Sequence, residues 1–300
     1  MLYTGREGFL TGTLPFIREG LDAGEPVLVA APGERLAWIE AELGPDTARI
    51  LLLDMARIGR NPARIISEWR AFLAQHGDGD LPVRGVGEPA WAERSDEELL
   101  ECARHEALLN LAFRDAPRFR LLCPYDVASL DRRAVRRACA THPIIWENGA
   151  PRESASYLDP LGALARFDGE LAPPPADAWR VGFGPHDVGM IRRLISGGAR
   201  GMGIPSERAN DLVLAVSEIA SNSILHGGGR GDLLVWRRGP RLVCEIRDRG
   251  RIGDPLVGRS RPSPEQLGGR GVWLANEVCD LVQLRTGAGG TVVRLSLGSR

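Results

Sequence analysis

The stretch ELAPPPADAW, residues 170–179, constrains this chain more than any other. Three consecutive prolines fit neither a helix interior nor a central strand, so they divide whatever lies on either side. The segment reads as a linker. The pattern of hydrophobic residues changes across it, which gives three parts: residues 1–160, a Pro-rich connection over 161–180, and residues 181–300.

Before the break, short apolar runs alternate with helical patterns. EPVLVA (25–30), ILLLD (50–54), VRGVGEP (83–89) and FRLLCPYD (119–126) read as strands or strand ends. Between them, ERLAWIEAEL (34–43), PARIISEWRAFLAQH (62–76) and SDEELLECARHEALLNLAF (95–113) read as helices. That alternation predicts an α/β domain with a parallel sheet covered on both faces. Ligands of such sheets bind beyond the C-terminal strand ends, which here are rich in turn residues.

Composition narrows the chemistry. All 38 Lys-or-Arg positions are arginine. Without lysine there is no Walker phosphate loop and no Schiff base. The net charge of −1 provides no bulk field toward nucleic acid or an acidic membrane. The five cysteines (102, 123, 139, 244, 279) are widely spaced with no CxxC pair, which indicates neither a zinc site nor a disulfide framework. No apolar run approaches a membrane span, and a soluble, cytoplasmic protein is expected. The chain opens abruptly on MLYTGREGF, as if its native start lay elsewhere.

After the break the order becomes helix, helix, hairpin, loop, helix, hairpin. This predicts an α+β sandwich with helices on one face of a mostly antiparallel sheet. In the second helix, with Ser206 as its expected N-cap, SEIASNSILHG places Glu218 and Asn222 four residues apart on one face. Two oxygen donors so placed suit Mg²⁺ or a held water; an ordinary solvated face fits equally. Along RLVCEIRD, Asp248 keeps the inward phase of Leu242, Cys244 and Ile246, and Thr291 shares that of Val293, Leu295 and Leu297. Two inward polar groups on neighbouring strands suggest a pocket; a strand-end cap and an ordinary strand threonine are the plain alternatives. Finally Gly268, Gly269 and Gly271, with Arg270 among them, precede a helix whose N-terminus favours anions. Gly227 reads simply as the end of the Asn222 helix.

The order ExxxN, DxG, Gly-rich loop resembles the GHKL (Bergerat) ATP-binding fold over residues 181–297, and within it the anti-sigma-factor Ser/Thr kinases. SEIASNSILHG resembles that family's N box, DRGRIGDP its first glycine box and GGRGVWLA its second, which departs from GxGL. The resemblance implies Glu218 as general base, Asn222 as Mg²⁺ ligand and Asp248 as acceptor from the adenine amino group. It sets Gly250, Gly269, Arg270 and Gly271 beside the phosphates and Thr291 in support of the adenine. It further implies ATP, a STAS-type antagonist or a sigma factor as partner, and a homodimer. A nucleotide-dependent binding module without catalysis is the other reading.

In the first half, RGVGEP, ECARHEALLN, LLCPYD and THPIIWENG resemble the MEDS sensory domain. This implies a RecA-like α/β core without a phosphate loop that senses a small-molecule or protein signal, with Glu88, Trp91, His105, Glu106 and Tyr125 in its motifs. On residues alone, His105 and Glu106 are helix-face residues paired with arginine. RHEALLN also resembles the phosphoacceptor box of a histidine kinase, although FRLLCPYD turns to strand where a second helix belongs. His76, His142 and His186 read as turn or surface residues, and His226 as a cation at a helix C-terminus.

Overall fold

Val27–Ala31 and Val83–Gly87 are buried at every position, as strands covered on both faces must be. The computed structural model describes residues 1–77, 81–147, 149–263 and 269–298, and the chain divides into two units, Met1–Asp168 and Gly169–Arg300. The first runs β1 (Leu2–Tyr3), α1 (Gly5–Asp22), β2 (Val27–Ala31), α2 (Gly33–Leu43), β3 (Leu51–Asp54), α3 (Met55–Ile58), α4 (Ile65–His76) and β4 (Val83–Gly87). It continues with α5 (Asp96–Ala112), β5 (Phe119–Leu122), β6 (Tyr125–Asp126), α6 (Arg132–Thr141), β7 (Ile144–Glu147), β8 (Ala150–Glu153) and α7 (Pro160–Phe167).

Its main sheet has the order β3-β2-β4-β5, parallel throughout. One core lies between this sheet and α1 and α2, around Phe9, Ile17, Val29 and Ile39; another forms around Leu28, Ile65, Trp69 and Phe72. The order reverses direction between β2 and β4, so the ligand crevice of such a sheet opens at the end of these two strands. Helix α5 starts with a capping box, Ser95 and Glu98 each satisfying the other's backbone N–H.

One helix was not read from the sequence, and two expectations change here. Helix α1 carries Pro15 in its interior, and packing of Phe9 and Ile17, both fully buried, outweighs the lost hydrogen bond. FRLLCPYD is two strands, because Pro124 has no N–H to continue the ladder; β6 instead pairs with β1. The start of the expected linker is helical: Asp159 caps α7 by accepting from Leu161 and Gly162 N–H, and Ala163, Leu164 and Phe167 are buried.

The second unit runs β9 (Trp179–Phe183), α8 (Val188–Gly201), α9 (Ser206–His226), β10 (Gly231–Arg238), β11 (Arg241–Asp248), α10 (Arg270–Val278), β12 (Leu281–Gly287) and β13 (Gly290–Gly298). The sheet order is β12-β13-β11-β10-β9, every pairing antiparallel. The helices cover one face, with Ile191, Ile195, Leu212, Val216, Cys244 and Leu295 all inaccessible in the core. Pro205, not Ser206, holds the N-cap of α9; no side chain caps this end, and Ser206 is already helical.

The opposite sheet face is also covered in part, by the Pro-rich segment itself. Arg294 donates to Ala172 O (2.6 Å) and Arg285 to Gly169 O (3.1 Å), while Ala178 packs on Leu234, Trp236 and Val243. Beneath it Glu245, fully buried, is paired with Arg294. Residues 169–178 therefore lie on the second unit as a strap, where the composition suggests a free tether. Among the described residues no helix is long and apolar enough to cross a membrane.

Candidate functional site

Helix α9, strand β11 and helix α10 meet at one corner of the second unit. The core phase of α9 is set by Leu212, Val216 and Ile219, and Ser223 continues it as a buried hydroxyl. Ser223 Oγ donates to Asp248 Oδ2 at 2.6 Å. The other carboxylate oxygen accepts from Gly250 N–H at 2.7 Å. Asp248 thus has two protein donors at the end of β11, which holds the carboxylate in place; a carboxylate has acceptor capacity beyond two bonds. One residue on, Thr291 Oγ1 donates to Gly250 O at 2.8 Å and lies 3.0 Å from Thr286 Oγ1. Thr291 stands directly opposite Asp248 in the β11–β13 ladder.

Backbone closeness makes this corner possible. A Cβ on Gly227 would sit 2.5 Å from Asp248 Cγ, and one on Gly250 would sit 2.7 Å from His226 O. The end of α9 and the turn after β11 are in contact through two glycines. Gly227 thus has a second task besides ending α9: its φ is −96°, ordinary for any residue, and it is the missing side chain that matters.

Asn222, Asp248, Gly250, Gly269 and Thr291 all line one cleft of about 310 Å³, whose other walls are largely apolar: Ile219, Val257, Val272 and Val293. His226 lines it too, in addition to sitting in the last turn of α9. Gly269 is the N-cap of α10 in the left-handed conformation, φ 79°. Arg270 is the first helical residue, exposed, and donates to Ser263 O. Gly268 lies outside the described residues, as do residues 264–267 before it. In the loop after β11, Gly258 O accepts from Asn276 Nδ2 at 2.9 Å.

Glu218 and Asn222 face the start of α10. A Cβ on Gly271 would lie 2.9 Å from Asn222 Nδ2 and 3.1 Å from Glu218 Oε2. Glu218 is half-buried beside this helix N-terminus and is not a wall of the cleft. The eight sequence-predicted residues therefore fall at one corner, with five lining the cleft and Glu218, Arg270 and Gly271 at its rim. Sequence reasoning missed Ser223 and Gly227. Ser223 had a signal, a hydroxyl in the apolar phase of α9.

The arrangement offers an apolar slot with a carboxylate and a hydroxyl at one end. The N-terminus of α10 and a carboxamide lie at the other. These donors fit a planar ring with an exocyclic amine joined to an anionic tail that carries a hard cation.

In the first unit the motif residues form two groups. At the crevice, Glu88 follows β4 and is fully buried; Tyr3 Oη donates to it at 2.6 Å, and Arg35 lies 3.6 Å away. Burial pushes its carboxyl up to about 7, against the pull of Tyr3 and Arg35. Trp91 stacks on Arg94, 3.8 Å from guanidinium carbon to ring centroid. His105, Glu106 and Tyr125 are buried, at 1%, 2% and 4% exposure, so the α5 face that carries His105 and Glu106 is turned inward. A histidine so enclosed cannot meet a phosphoryl donor, which disposes of the histidine-kinase reading of RHEALLN. His142, expected in a turn or at the surface, is the partly exposed C-cap of α6 and lies 3.4 Å from Glu106.

A nucleotide-binding α+β unit and a separate parallel α/β unit are the classes of domain that these geometries define. The family model of the histidine kinase-like ATPase domain matches residues 184–297. The model of MEDS, the MEthanogen/methylotroph, DcmR Sensory domain, matches residues 1–143. The chain carries one domain of each family. Among solved structures, it is similar to the crystal structure of the RsbU and RsbW domains of Rv1364c from Mycobacterium tuberculosis, at 17% identity and a TM-score of 0.31. That alignment covers 41% of this chain and 32% of the other. No curated protein matches the chain.

Proposed function

We propose that the second unit binds Mg-ATP at the α9–β11–α10 corner and passes a phosphoryl group to a Ser or Thr of a STAS-type regulatory partner. The observation that carries this reading is the convergence of Asn222, Asp248 and Thr291 on one cleft closed by the Gly269 N-cap of α10. Asp248 accepts from the adenine amino group, with Thr291 and Gly250 supporting that end. The N-terminus of α10, with Gly269, Arg270 and Gly271, takes the phosphates. Asn222 is the ligand for the cation, and Glu218 takes the proton of the acceptor hydroxyl. Bound Mg-ATP supplies the phosphoryl group and neutralises its charge, so the protein's share is positioning. The absence of lysine is no obstacle to that.

Glu218 lies against Gly271 and outside the cleft walls, which favours a second reading: a module in which ATP sets partner affinity without turnover. The STAS-type partner, a sigma factor and a homodimer through this unit belong to the anti-sigma resemblance. In the α/β unit the same resemblance-level reading is a RecA-like core that senses a signal. The deciding experiment incubates the chain with γ-labelled ATP and a purified STAS-type protein. Label on a partner Ser or Thr, lost with Glu218→Ala, supports the kinase; a tight ATP-dependent complex without label supports the module. Asn222→Ala should weaken Mg-ATP binding by about ten-fold or more by calorimetry. Unchanged affinity would remove the site.

A further inference from the structure

Three residues of the first unit, distant in sequence, meet in its interior. Glu106 lies on α5, Cys123 follows β5, and His142 is the C-cap of α6. Their ligand atoms all fall within 4.8 Å of one another. Glu106 Oε2 is 3.7 Å from Cys123 Sγ and 3.4 Å from His142 Nε2. In a tetrahedral zinc site with ordinary bond lengths, a sulfur–oxygen edge is about 3.5 Å and a nitrogen–oxygen edge about 3.3 Å. The cluster already has these edges.

The hydrogen bonds around the cluster turn its three ligand atoms toward one another. His142 Nδ1 is 2.8 Å from Ala138 O, and the carbonyl can only accept, so Nδ1 carries the hydrogen. The ring's other nitrogen, Nε2, then faces the Glu106 carboxylate at 3.4 Å. A metal-bound histidine shows the same outward bond, its second nitrogen anchored to a carbonyl. Glu106 is 2% exposed and its Oε1 makes no close hydrogen bond; burial works to raise its carboxyl, but His142 and the Tyr125 hydroxyl hold it below its ordinary value. The Met1 amine nearby is taken up by Cys123 O at 2.8 Å. Tyr125, edge-on to His142 at 5.6 Å between ring centroids, closes another side. His142 is 17% exposed, so the cluster has an access route from solvent.

We propose that Glu106, Cys123 and His142 form a three-ligand site for a borderline-soft divalent cation of the zinc class, with a fourth position for water or a signal molecule. Mixed oxygen, sulfur and nitrogen donors favour zinc over magnesium or calcium. Occupancy would tie α5, the end of β5 and α6 together. The three ligands come from three elements, so no CxxC-like spacing marks the site in sequence.

The test uses the full chain, stripped with chelator and titrated with Co²⁺. The expected result is one equivalent bound, with tetrahedral d–d bands and a thiolate-to-cobalt charge-transfer band, displaced by Zn²⁺. Cys123→Ser should lose the thiolate band, and Cys139→Ser should keep it. His142→Ala, altered at a partly exposed helix end, provides a second reading should Cys123→Ser not fold: circular dichroism reports the fold, and Co²⁺ affinity should fall by at least about ten-fold. Absence of a thiolate band in the wild type, or its persistence in Cys123→Ser, overturns the proposal.

Discussion

Asp248 shows how a single carboxylate can be prepared for a ligand. Its two oxygens are held by Ser223 and Gly250, and Gly227 leaves it the room. Gly227→Ala should therefore act at the site, not only on the helix end. A Cβ 2.5 Å from Asp248 Cγ must displace the carboxylate or the turn. The expected cost is about 1–3 kcal/mol in urea denaturation, with weaker ATP binding in parallel. An affinity equal to wild type would show that Asp248 is not positioned by this contact. At the other site Glu88 makes a pH prediction. Its folded-state value, raised from 4.5 to about 7, means that the folded chain holds a proton which the unfolded chain has released. Stability from this group is unaffected below 4.5, falls as pH rises from 4.5 to about 7, and is lower by about 3 kcal/mol above that. Glu88→Gln should remove this slope, read as the difference between denaturation at roughly pH 5 and pH 8. An unchanged slope assigns the effect to another group. Asp248 and Thr291 were legible as strand residues in an apolar phase. Glu88 was legible only as part of a motif, because burial at a crevice leaves no periodic mark.

At the scale of elements, the site depends on how closely α10 approaches α9. Gly271 is the contact point: Glu218 and Asn222 occupy the space where its side chain would be. Gly271→Ala should push the start of α10 away and separate the Gly269 N-cap from the cleft. Nucleotide affinity is expected to fall by about ten-fold or more, while the α8–α9 core, which does not involve this residue, keeps the unit folded. Wild-type affinity in a folded Gly271→Ala protein would mean that α10 does not border the ligand. Strands such as VLVAA and helices such as α5 were readable because burial on both faces, or a capping box, is written in neighbouring residues. Helix α1 was not, since Pro15 interrupts its pattern and only long-range packing of Phe9 and Ile17 sustains it. The strap over 169–178 was hidden for a similar reason: arginines 285 and 294, more than a hundred residues away, hold it.

For the whole molecule, the useful fact is that each unit has its own core and its own proposed ligand. Sequence already divided the chain, because the pattern of elements changes at the prolines and each half resembles a family that its model matches. What it could not divide was the ligand chemistry, since the Glu106–Cys123–His142 cluster is assembled only by the fold. Ligands that bind the folded state alone stabilise it by mass action, by about 2.7 kcal/mol at a hundred-fold excess over Kd. Two separate cores permit two unfolding transitions, so the two ligands should be separable. Mg-ATP should slow hydrogen exchange in peptides of α9, α10 and the end of β11. Zn²⁺ added to chelator-stripped protein should slow it in α5 and α6. Each ligand added alone therefore reads one site. Protection by Mg-ATP that leaves α9 and α10 unchanged would displace the nucleotide from the corner described. Protection by Zn²⁺ confined to the second unit would place the cation away from Cys123. The two failures are distinct, so neither reading rests on the other.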